Sequence, residues 1–218
     1  ELIVADHCNI VCRQCNHASP VMRTWNATAE GVTRDLARLA PIYRPNILRI
    51  LGGEPILNPH ITEIIRVARA SGIAEHVQLV TNGLLLDRLD DVAWDLLTEV
   101  EISIYPAAGL TDAMIDAARM KGVSHDTAVS TCMYPQFRHT FCSVPTEESG
   151  LVEDVWRACK MAQVWGCHAL RDGFIYRCPQ SIYIPKLSGE SVSMEGLNLH
   201  DGTELKPRLL AFLNAAGP

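Results

Sequence analysis

Residues 8–15 read CNIVCRQC, which places Cys8, Cys12 and Cys15 in a C-x3-C-x2-C spacing shortly after the apolar run Leu2–Ala5. Three thiolates this close together on a loop can bind one metal centre. A closed structural site uses four protein ligands, so three cysteines leave one position open for a substrate or cofactor. The spacing alone leaves a structural zinc site or incidental thiols as alternatives.

Apolar runs and helix signals alternate along the chain. Strands are predicted at residues 2–5, 47–51, 77–80, 100–105 and 127–133, and helices at 29–39, 60–70, 90–97 and 111–120. Repeated strand–helix units predict a parallel sheet of the α/β class. Residues 134–150 lack periodicity and are predicted to connect over the active site, with room for a short sixth strand.

Two polar motifs end the second and third predicted strands. The second strand runs into GGEP at residues 52–55, and the third ends at TNG, residues 81–83. Two glycines let the backbone pass close to a bound ligand, and the glutamate supplies a carboxylate for an ammonium group. Functional side chains of βα barrels gather at the carboxyl ends of the strands, where both motifs lie.

These motifs resemble those of the radical S-adenosylmethionine (radical SAM) superfamily. The resemblance implies a partial (β/α)6, TIM-like barrel. It also implies that Cys8, Cys12 and Cys15 hold three irons of a [4Fe–4S] cluster, whose fourth iron binds the amino and carboxylate groups of SAM. Reductive cleavage of SAM then gives a 5′-deoxyadenosyl radical, which abstracts a hydrogen atom from the substrate.

Polar side chains at further strand ends extend the predicted cofactor site. Ser103 and Tyr105 lie two apart on the fourth strand and face the same side, and Ser130 has a similar position on the fifth. By the resemblance they contact the ribose and carboxylate of SAM; satisfaction by neighbouring backbone is the alternative. The predicted cofactor-binding residues are Gly52, Gly53, Glu54, Pro55, Thr81, Asn82, Ser103, Tyr105 and Ser130.

A second group of cysteines, Cys159, Cys167 and Cys178, lies in the last third of the chain. Asp172 and Gly173 predict the turn of a small β-hairpin just before Cys178. This arrangement resembles the opening of the SPASM and twitch auxiliary-cluster domains. The resemblance therefore implies a second, auxiliary iron–sulfur cluster bound by these cysteines.

The resemblance divides the chain into a barrel, residues 1–150, and a small twitch-like extension, residues 151–218. Related twitch domains carry further cysteines after the hairpin, whereas Cys178 is the last one here. Either the chain ends before the remaining ligands, or Cys142 or Cys132 completes the site, or an open iron of the cluster binds substrate. Buried free cysteines are the alternative.

Composition fits a globular enzyme. The 218 residues are 48% hydrophobic and carry a net charge of −6. This charge argues against sequence-independent binding to nucleic acid, which depends on lysine and arginine. No apolar run is long enough to predict a membrane span. Eight cysteines in clustered spacings, without a secretion signal, predict metal binding in a reducing cytoplasm.

The resemblance favours hydrogen abstraction from a small molecule, because no leader-binding domain precedes the first strand and the extension is short. The favoured reaction is dehydrogenation or epimerisation of a sugar or aminocyclitol-like compound, with an electron donor such as flavodoxin or ferredoxin. In an epimerase a free thiol returns hydrogen, and Cys132 and Cys142 are candidates for this catalytic role or are inert thiols. A peptide-modifying radical SAM enzyme and a non-catalytic iron–sulfur or zinc protein are the alternatives.

Overall fold

The computed structural model describes residues 1–106, 108–135, 146–189, 195–202, 204–215 and 217. Its first part repeats a strand–helix unit and ends on a fifth strand, as predicted. The strands are β1 (Leu2–Ala5), β2 (Ile47–Gly52), β3 (His76–Thr81), β4 (Glu99–Ile104) and β5 (Ala128–Met133), and the helices are α1 (Ala29–Leu39), α2 (Ile61–Ala70), α3 (Asp91–Leu96) and α4 (Asp112–Ser124). This order confirms the α/β class.

Side-chain caps fix where three of these helices begin. Thr28, Asp90 and Thr111 precede α1, α3 and α4, and each accepts a hydrogen bond from a backbone N–H of the first turn. Such a cap satisfies one of the amides that a helix leaves without a partner, and it contributes about 1 kcal/mol. The helices therefore begin where the sequence supplies a short polar side chain.

Helix α4 ends at Ser124, beyond the predicted end at Met120. The sequence analysis placed the end before Gly122, since glycine commonly follows a helix. In the structure Gly122 lies inside the helix, and a Cβ there would stand 2.5 Å from the carbonyl oxygen of Thr127. This glycine thus lets α4 approach the chain that enters β5.

One sheet contains all the strands of the described chain, in the order β5-β4-β3-β2-β1-β6-β7-β8. Strands β1 to β5 pair in parallel throughout. Their carboxyl ends therefore meet at one edge, as the partial barrel requires. The GGEP and TNG motifs and the cysteine loop all follow strands at this edge.

The sixth parallel strand pairs with β1 in the sheet, whereas β5 lies at the far edge. It is β6 (Ala169–Arg171), which pairs with β1 through Leu2 and Leu170. The sequence analysis leaves room for a sixth strand within residues 134–150 and assigns residues 169–171 to the hairpin only. The described residues of the earlier segment form no strand, and residues 136–145 lie outside the description. The sheet thus continues through the predicted boundary at residue 150.

The predicted hairpin is confirmed: β6 turns through Asp172 and Gly173, both at positive φ, into β7 (Phe174–Tyr176). The short strand β8 (Leu197–Asn198) pairs with β7. The remaining helices are α5 (Ser149–Ala158), α6 (Gln180–Ser188) and α7 (Leu205–Leu213). In the described part of the chain, no helix is long and apolar enough to cross a membrane.

Two hydrophobic clusters hold the sheet in place. The larger one joins strand residues such as Ile50 and Leu79 to helix residues such as Leu36 and Ile64, all of them almost fully buried. Each such side chain contributes roughly 1.5–3 kcal/mol of burial free energy. The barrel thus has its main core on the helical side of the sheet, and its opposite face can carry a site.

The smaller cluster attaches the C-terminal elements to the opposite face. Ile182 and Tyr183 of α6 pack with Ile3, Leu51 and Tyr176. Sequence analysis missed α6 because Pro185 lies inside it, and proline is unfavourable in a helix interior. This helix covers the barrel beside β1 and brings the C-terminal segment next to the cysteine loop.

Candidate active site

A cavity of about 810 Å³ opens at the carboxyl ends of the strands. The cysteine loop, the ends of β2, β3 and β4 and the segment after α5 all line it. Its volume lies in the range of small-molecule sites. The lining residues that the sequence analysis singled out are Cys8, Cys12, Cys15, Gly52, Gly53, Thr81, Asn82, Ser103, Tyr105, Cys159 and Cys167.

The cysteine loop carries three free, half-buried thiols. Burial raises the pKa of Cys8 to about 11 and also raises the pKa of Cys12, on which the neighbouring Cys15 acts in the same direction. Metals bind thiolates, so loading this site must release protons. Iron or zinc would therefore be bound in competition with protons.

The donor set fits an iron–sulfur cluster with an open position. Within the described residues, no three His, Cys, Asp or Glu side chains are close enough together to hold a single metal ion. An iron–sulfur cluster does not require three side chains around one metal ion, because each cysteine binds a separate iron. Cys8, Cys12 and Cys15 are unpaired thiols on one cavity wall, and they would hold three irons of such a cluster.

Gly52 and Gly53 let the end of β2 pass against the chain that leads into the cysteine loop. A Cβ on Gly52 would stand 2.2 Å from the carbonyl oxygen of Ala5, and one on Gly53 would stand 2.1 Å from that of His7. The Gly53 N–H donates to the Ala5 carbonyl at 2.8 Å. The sequence analysis assigned these glycines to close approach of a ligand; the structure shows that they also fit the protein's own loop.

Glu54 has a different position from the predicted one. Its side chain is fully buried, and its carboxylate accepts hydrogen bonds from the Thr81 hydroxyl at 2.8 Å and from the backbone N–H groups of Asn82 and Ile56 at 2.9 and 3.1 Å. Glu54 does not line the cavity, and its predicted contact with an ammonium group stays a prediction. Pro55, directly after it, is buried in the 3-10 turn Pro55–Leu57 and does not line the cavity.

The Glu54 carboxylate instead connects the end of β2 to the end of β3. Its partner Asn82 lines the cavity and donates from its side chain to Asn9 Oδ1 at 2.7 Å and toward Cys8 Sγ at 3.7 Å. Thr81, Glu54 and Asn82 thus form one hydrogen-bonded chain that reaches the first cysteine. These hydrogen bonds fix the orientation of the cysteine loop.

We expect Glu54→Gln to change the pH dependence of folding. Burial raises the pKa of Glu54 to about 7, so the folded protein binds a proton more readily than the unfolded chain, and stability falls as pH rises through this interval. Glutamine cannot ionise, so the variant should gain stability relative to the parent between about pH 5 and about pH 8. Urea unfolding of the iron-free proteins measures this difference; a relative loss with rising pH would contradict it.

Strand register corrects the prediction for Ser130. Ser130 is level with Glu101, two residues below the level of Ser103, and its hydroxyl donates to the Glu99 carboxylate. It does not line the cavity, so its predicted contact with SAM is not supported by its position. The β5 residue level with Ser103 is Cys132.

Two tyrosine rings and one cysteine thiol lie at the carboxyl ends of β4 and β5. Tyr105 lines the cavity and stacks on Tyr134, with ring centres 5.7 Å apart. Burial raises the pKa of both phenols. Cys132 is half-buried, acts on the pKa of Tyr134 and does not line the cavity. Its predicted catalytic role stays a prediction.

Two of the three cysteines of the second group line the same cavity. Cys159 and Cys167 line it, whereas Cys178 does not and has its Sγ 3.6 Å from Ser181 Oγ. All three are free thiols. Cys142, the other candidate of the sequence analysis, lies outside the described residues. The structure thus brings two of the three predicted auxiliary ligands to the cavity that the first cysteine group also lines.

Sequence analysis missed a polar network on the inner face of the barrel. Arg49 of β2 donates from Nε to Gln78 Oε1 at 2.7 Å and from Nη2 to Glu101 Oε2 at 2.9 Å. The signal was available, because Glu101 precedes Ser103 by two residues and so lies on the same strand face. The sequence analysis considered polar residues at strand ends only, so it did not include these charged residues within the strands.

Sequence analysis also missed a buried charge cluster behind the cysteine loop. Asp6 follows β1, is almost fully buried, and accepts hydrogen bonds at Oδ2 from Arg171 Nη2 at 3.0 Å and Lys186 Nζ at 2.5 Å. The Arg171 guanidinium lies 3.7 Å from the ring centre of Trp25. These contacts join β1 to β6 and α6.

Comparison with known proteins places this geometry in a family. The model of the radical SAM superfamily matches residues 2–126. GTP 3′,8-cyclase of Chlorobaculum tepidum is 34% identical over 104 residues, which cover 47% of this chain and 31% of that protein. GTP 3′,8-cyclase 1 of Mycobacterium tuberculosis is 27% identical over 161 residues, covering 57% and 44%. The chain thus spans less than half the length of these curated relatives.

A solved structure shares the fold across nearly the whole chain. The crystal structure of BtrN in complex with AdoMet and 2-DOIA superimposes with a TM-score of 0.59 at 14% identity, and the match covers 98% of this chain and 80% of BtrN. This likeness concerns the fold and agrees with the partial barrel. Since the family model covers more than half of the sequence, including the cysteine loop and both strand-end motifs, the chain belongs to the radical SAM superfamily.

Proposed function

We propose that this protein reductively cleaves SAM at a [4Fe–4S] cluster and abstracts a hydrogen atom from a small-molecule substrate. The favoured reaction is dehydrogenation or epimerisation of a sugar or aminocyclitol-like compound. The observation that supports this proposal is the single cavity that joins Cys8, Cys12 and Cys15 to the predicted SAM-binding strand ends. The partner would be a protein electron donor such as flavodoxin or ferredoxin.

The bound cluster and SAM together supply a 5′-deoxyadenosyl radical. The chain's own residues would hold and orient these groups: the three thiolates bind iron, and Asn82, Ser103 and Tyr105 offer polar contacts along the cavity wall. The buried Glu54 carboxylate acts indirectly in this scheme, by fixing the position of Asn82. Gly52 and Gly53 expose backbone to the same cavity.

The size and charge of the cavity support a small, non-anionic substrate. Its charged lining side chains among the described residues are Glu1, Arg49, Glu101 and Lys160, two of each sign. BtrN, the structural neighbour, was crystallised with AdoMet and 2-DOIA. We propose by analogy that a small molecule occupies the space beside SAM here.

The GTP 3′,8-cyclase relatives favour a second candidate function, in which the substrate is a nucleotide. A triphosphate requires several cations, whereas Arg49 is already paired with Glu101. The nucleotide is therefore the second choice. Both candidates keep the same radical chemistry and differ in the compound that occupies the cavity.

We further propose an auxiliary iron–sulfur cluster held by the extension, with Cys159 and Cys167 as ligands and Cys178 completing the set. Two of these thiols line the cavity, so a cluster there would stand close to the substrate. Such a cluster can accept an electron from a substrate radical, as a dehydrogenation requires.

Reductive SAM cleavage tests the proposed function directly. The protein is reconstituted anaerobically with iron and sulfide and incubated with SAM and dithionite, and 5′-deoxyadenosine is quantified by chromatography. We expect the product only when reductant is present, because the oxidised cluster cannot donate an electron. A fully iron-loaded protein that forms no 5′-deoxyadenosine would exclude the proposed enzyme class.

A further inference from the structure

We infer that the solvent-facing side of the cysteine loop is the docking site of an acidic electron-transfer protein. This inference rests on the proposed function, which needs an electron from outside the chain, and it names where the electron donor binds. We call this surface the donor loop and define it as residues 7–24. The exposed side chains on it include Val11, Arg13, Val21 and Arg23.

The donor loop lies between the cavity and solvent. Its three cysteines line the cavity. Val11 and Arg13, each next to Cys12, do not line the cavity and are exposed to solvent. In the proposed complex SAM and the substrate occupy the cavity side of the cysteines. Since electron transfer slows steeply with distance, the solvent side of the same loop is the direct route for an electron from a protein in solution.

The charge of the donor loop is opposite to that of the whole chain. Residues 7–24 contain Arg13 and Arg23 but no aspartate or glutamate, whereas the full chain has 25 acidic residues against 19 lysines and arginines. Both arginines are exposed, and neither has an ion-pair partner among the described residues. Their charges are therefore available to an acidic partner, and such attraction raises the rate of association between proteins.

Two exposed apolar side chains accompany these arginines. Val11 is 84% exposed and Val21 is 71% exposed. A single exposed valine is ordinary on a protein surface, but apolar side chains together with arginine are typical of interfaces between proteins. Electron-transfer complexes bury less than about 1,200 Å² of surface. The donor loop and its surroundings are therefore large enough to form the main contact.

Backbone hydrogen bonds fix the shape of the donor loop. The Asp6 N–H donates to the Trp25 carbonyl at 3.2 Å, which joins the two ends of the loop. Within the loop, the Ala18 N–H donates to the Cys15 carbonyl and the Val21 N–H donates to the Ala18 carbonyl, both at 2.9 Å. A surface whose backbone is already ordered loses less conformational entropy when a partner binds.

Electron transfer from flavodoxin, an acidic flavoprotein, tests this inference. The reconstituted full chain is mixed anaerobically with flavodoxin hydroquinone, and the appearance of the blue semiquinone gives the second-order rate constant. We expect Arg13→Gln/Arg23→Gln to lower this rate constant at least about fivefold at an ionic strength of about 0.1 M, because two attractive charges are lost. At about 1 M salt, where the Debye length is about 3 Å, parent and variant should react at similar rates.

The matched control Arg34→Gln/Arg44→Gln removes the same charge from two exposed arginines outside the donor loop, one on α1 and one after it. It should react with flavodoxin at the rate of the parent. Val21→Glu adds a repulsive charge to the donor loop and should slow the reaction. The methyl viologen radical cation reduces clusters without docking, so its rate with Arg13→Gln/Arg23→Gln should not fall.

Four results would overturn the inference. They are an unchanged flavodoxin rate in Arg13→Gln/Arg23→Gln, an equal decrease in Arg34→Gln/Arg44→Gln, an equal decrease with methyl viologen, and no oxidation of flavodoxin by the iron-loaded parent. Failure of the proposed function is reported separately, by the absence of 5′-deoxyadenosine from the parent reduced with dithionite. The flavodoxin reaction is run without SAM, so it measures docking whether or not SAM is cleaved.

Discussion

The variant Cys8→Ala/Cys12→Ala/Cys15→Ala is expected to form no detectable 5′-deoxyadenosine under conditions in which the parent protein does. Its three thiols line one wall of the cavity, and we propose them as the iron ligands of the SAM-binding cluster. Alanine offers no metal ligand, so the site cannot hold iron. Product analysis after anaerobic reconstitution measures the activity, and iron and sulfide analysis measures the loading.

The matched variant Cys159→Ala/Cys167→Ala/Cys178→Ala tests whether the second cysteine group holds a separate cluster. Each triple variant should keep the iron of the other group, and the two together should account for the iron of the parent protein. Cys159 and Cys167 line the same cavity as the first group, so a single shared centre is the competing arrangement. Complete loss of iron in both variants would contradict two separate clusters.

Loss of a cluster must be distinguished from loss of the fold. The large hydrophobic cluster lies on the helical side of the sheet and contains none of these cysteines. Both triple variants should therefore retain the helical circular dichroism of the parent. A variant that unfolds would show that iron binding is coupled to folding of the whole barrel.

Much of the barrel was predictable because each element carries its own signal. Strand β2 is an apolar run that ends in two glycines, and α1 begins after the capping residue Thr28. The cysteine loop and the two strand-end motifs lie at the strand ends, and a parallel sheet brings such ends together without further information. Local sequence therefore sufficed for the main features of the site.

Side-chain roles that depend on distant partners were not predictable. The sequence offers Glu54 as a ligand for an ammonium group, but its carboxylate accepts hydrogen bonds from Thr81, Asn82 and Ile56 and does not line the cavity. The predicted equivalence of Ser130 and Ser103 failed because strand register, which no local pattern encodes, aligns Ser103 with Cys132. Pairing between strands far apart in sequence decided both cases.

The pairing of β6 with β1 was not predictable for the same reason. Strand β6 is only three residues long and lies more than 160 residues after its partner β1. Its location at the β1 edge is associated with a charge pair that no periodicity reveals, between Asp6 and Arg171. This contact joins the first strand to the C-terminal segment.

Asp6→Asn is expected to lower the free energy of unfolding by about 3–5 kcal/mol, because it leaves a buried guanidinium and a half-buried ammonium group without their anion. Only 3% of the Asp6 side chain is exposed, against 9% of Arg171 and 18% of Lys186. Water therefore cannot replace the lost carboxylate charge. The loss corresponds to a decrease in melting temperature on the order of 10 °C for a chain of this size.

Asp154→Asn is the control, since Asp154 is exposed on α5 and its substitution should change stability by less than about 0.5 kcal/mol. Adding Lys186→Met to Asp6→Asn removes one of the two unpaired cations and should restore part of the loss, which separates electrostatics from a packing defect. Chemical unfolding of the iron-free proteins gives these values. If Asp6→Asn is no less stable than Asp154→Asn, the charge cluster does not stabilise the junction between β1 and the C-terminal segment.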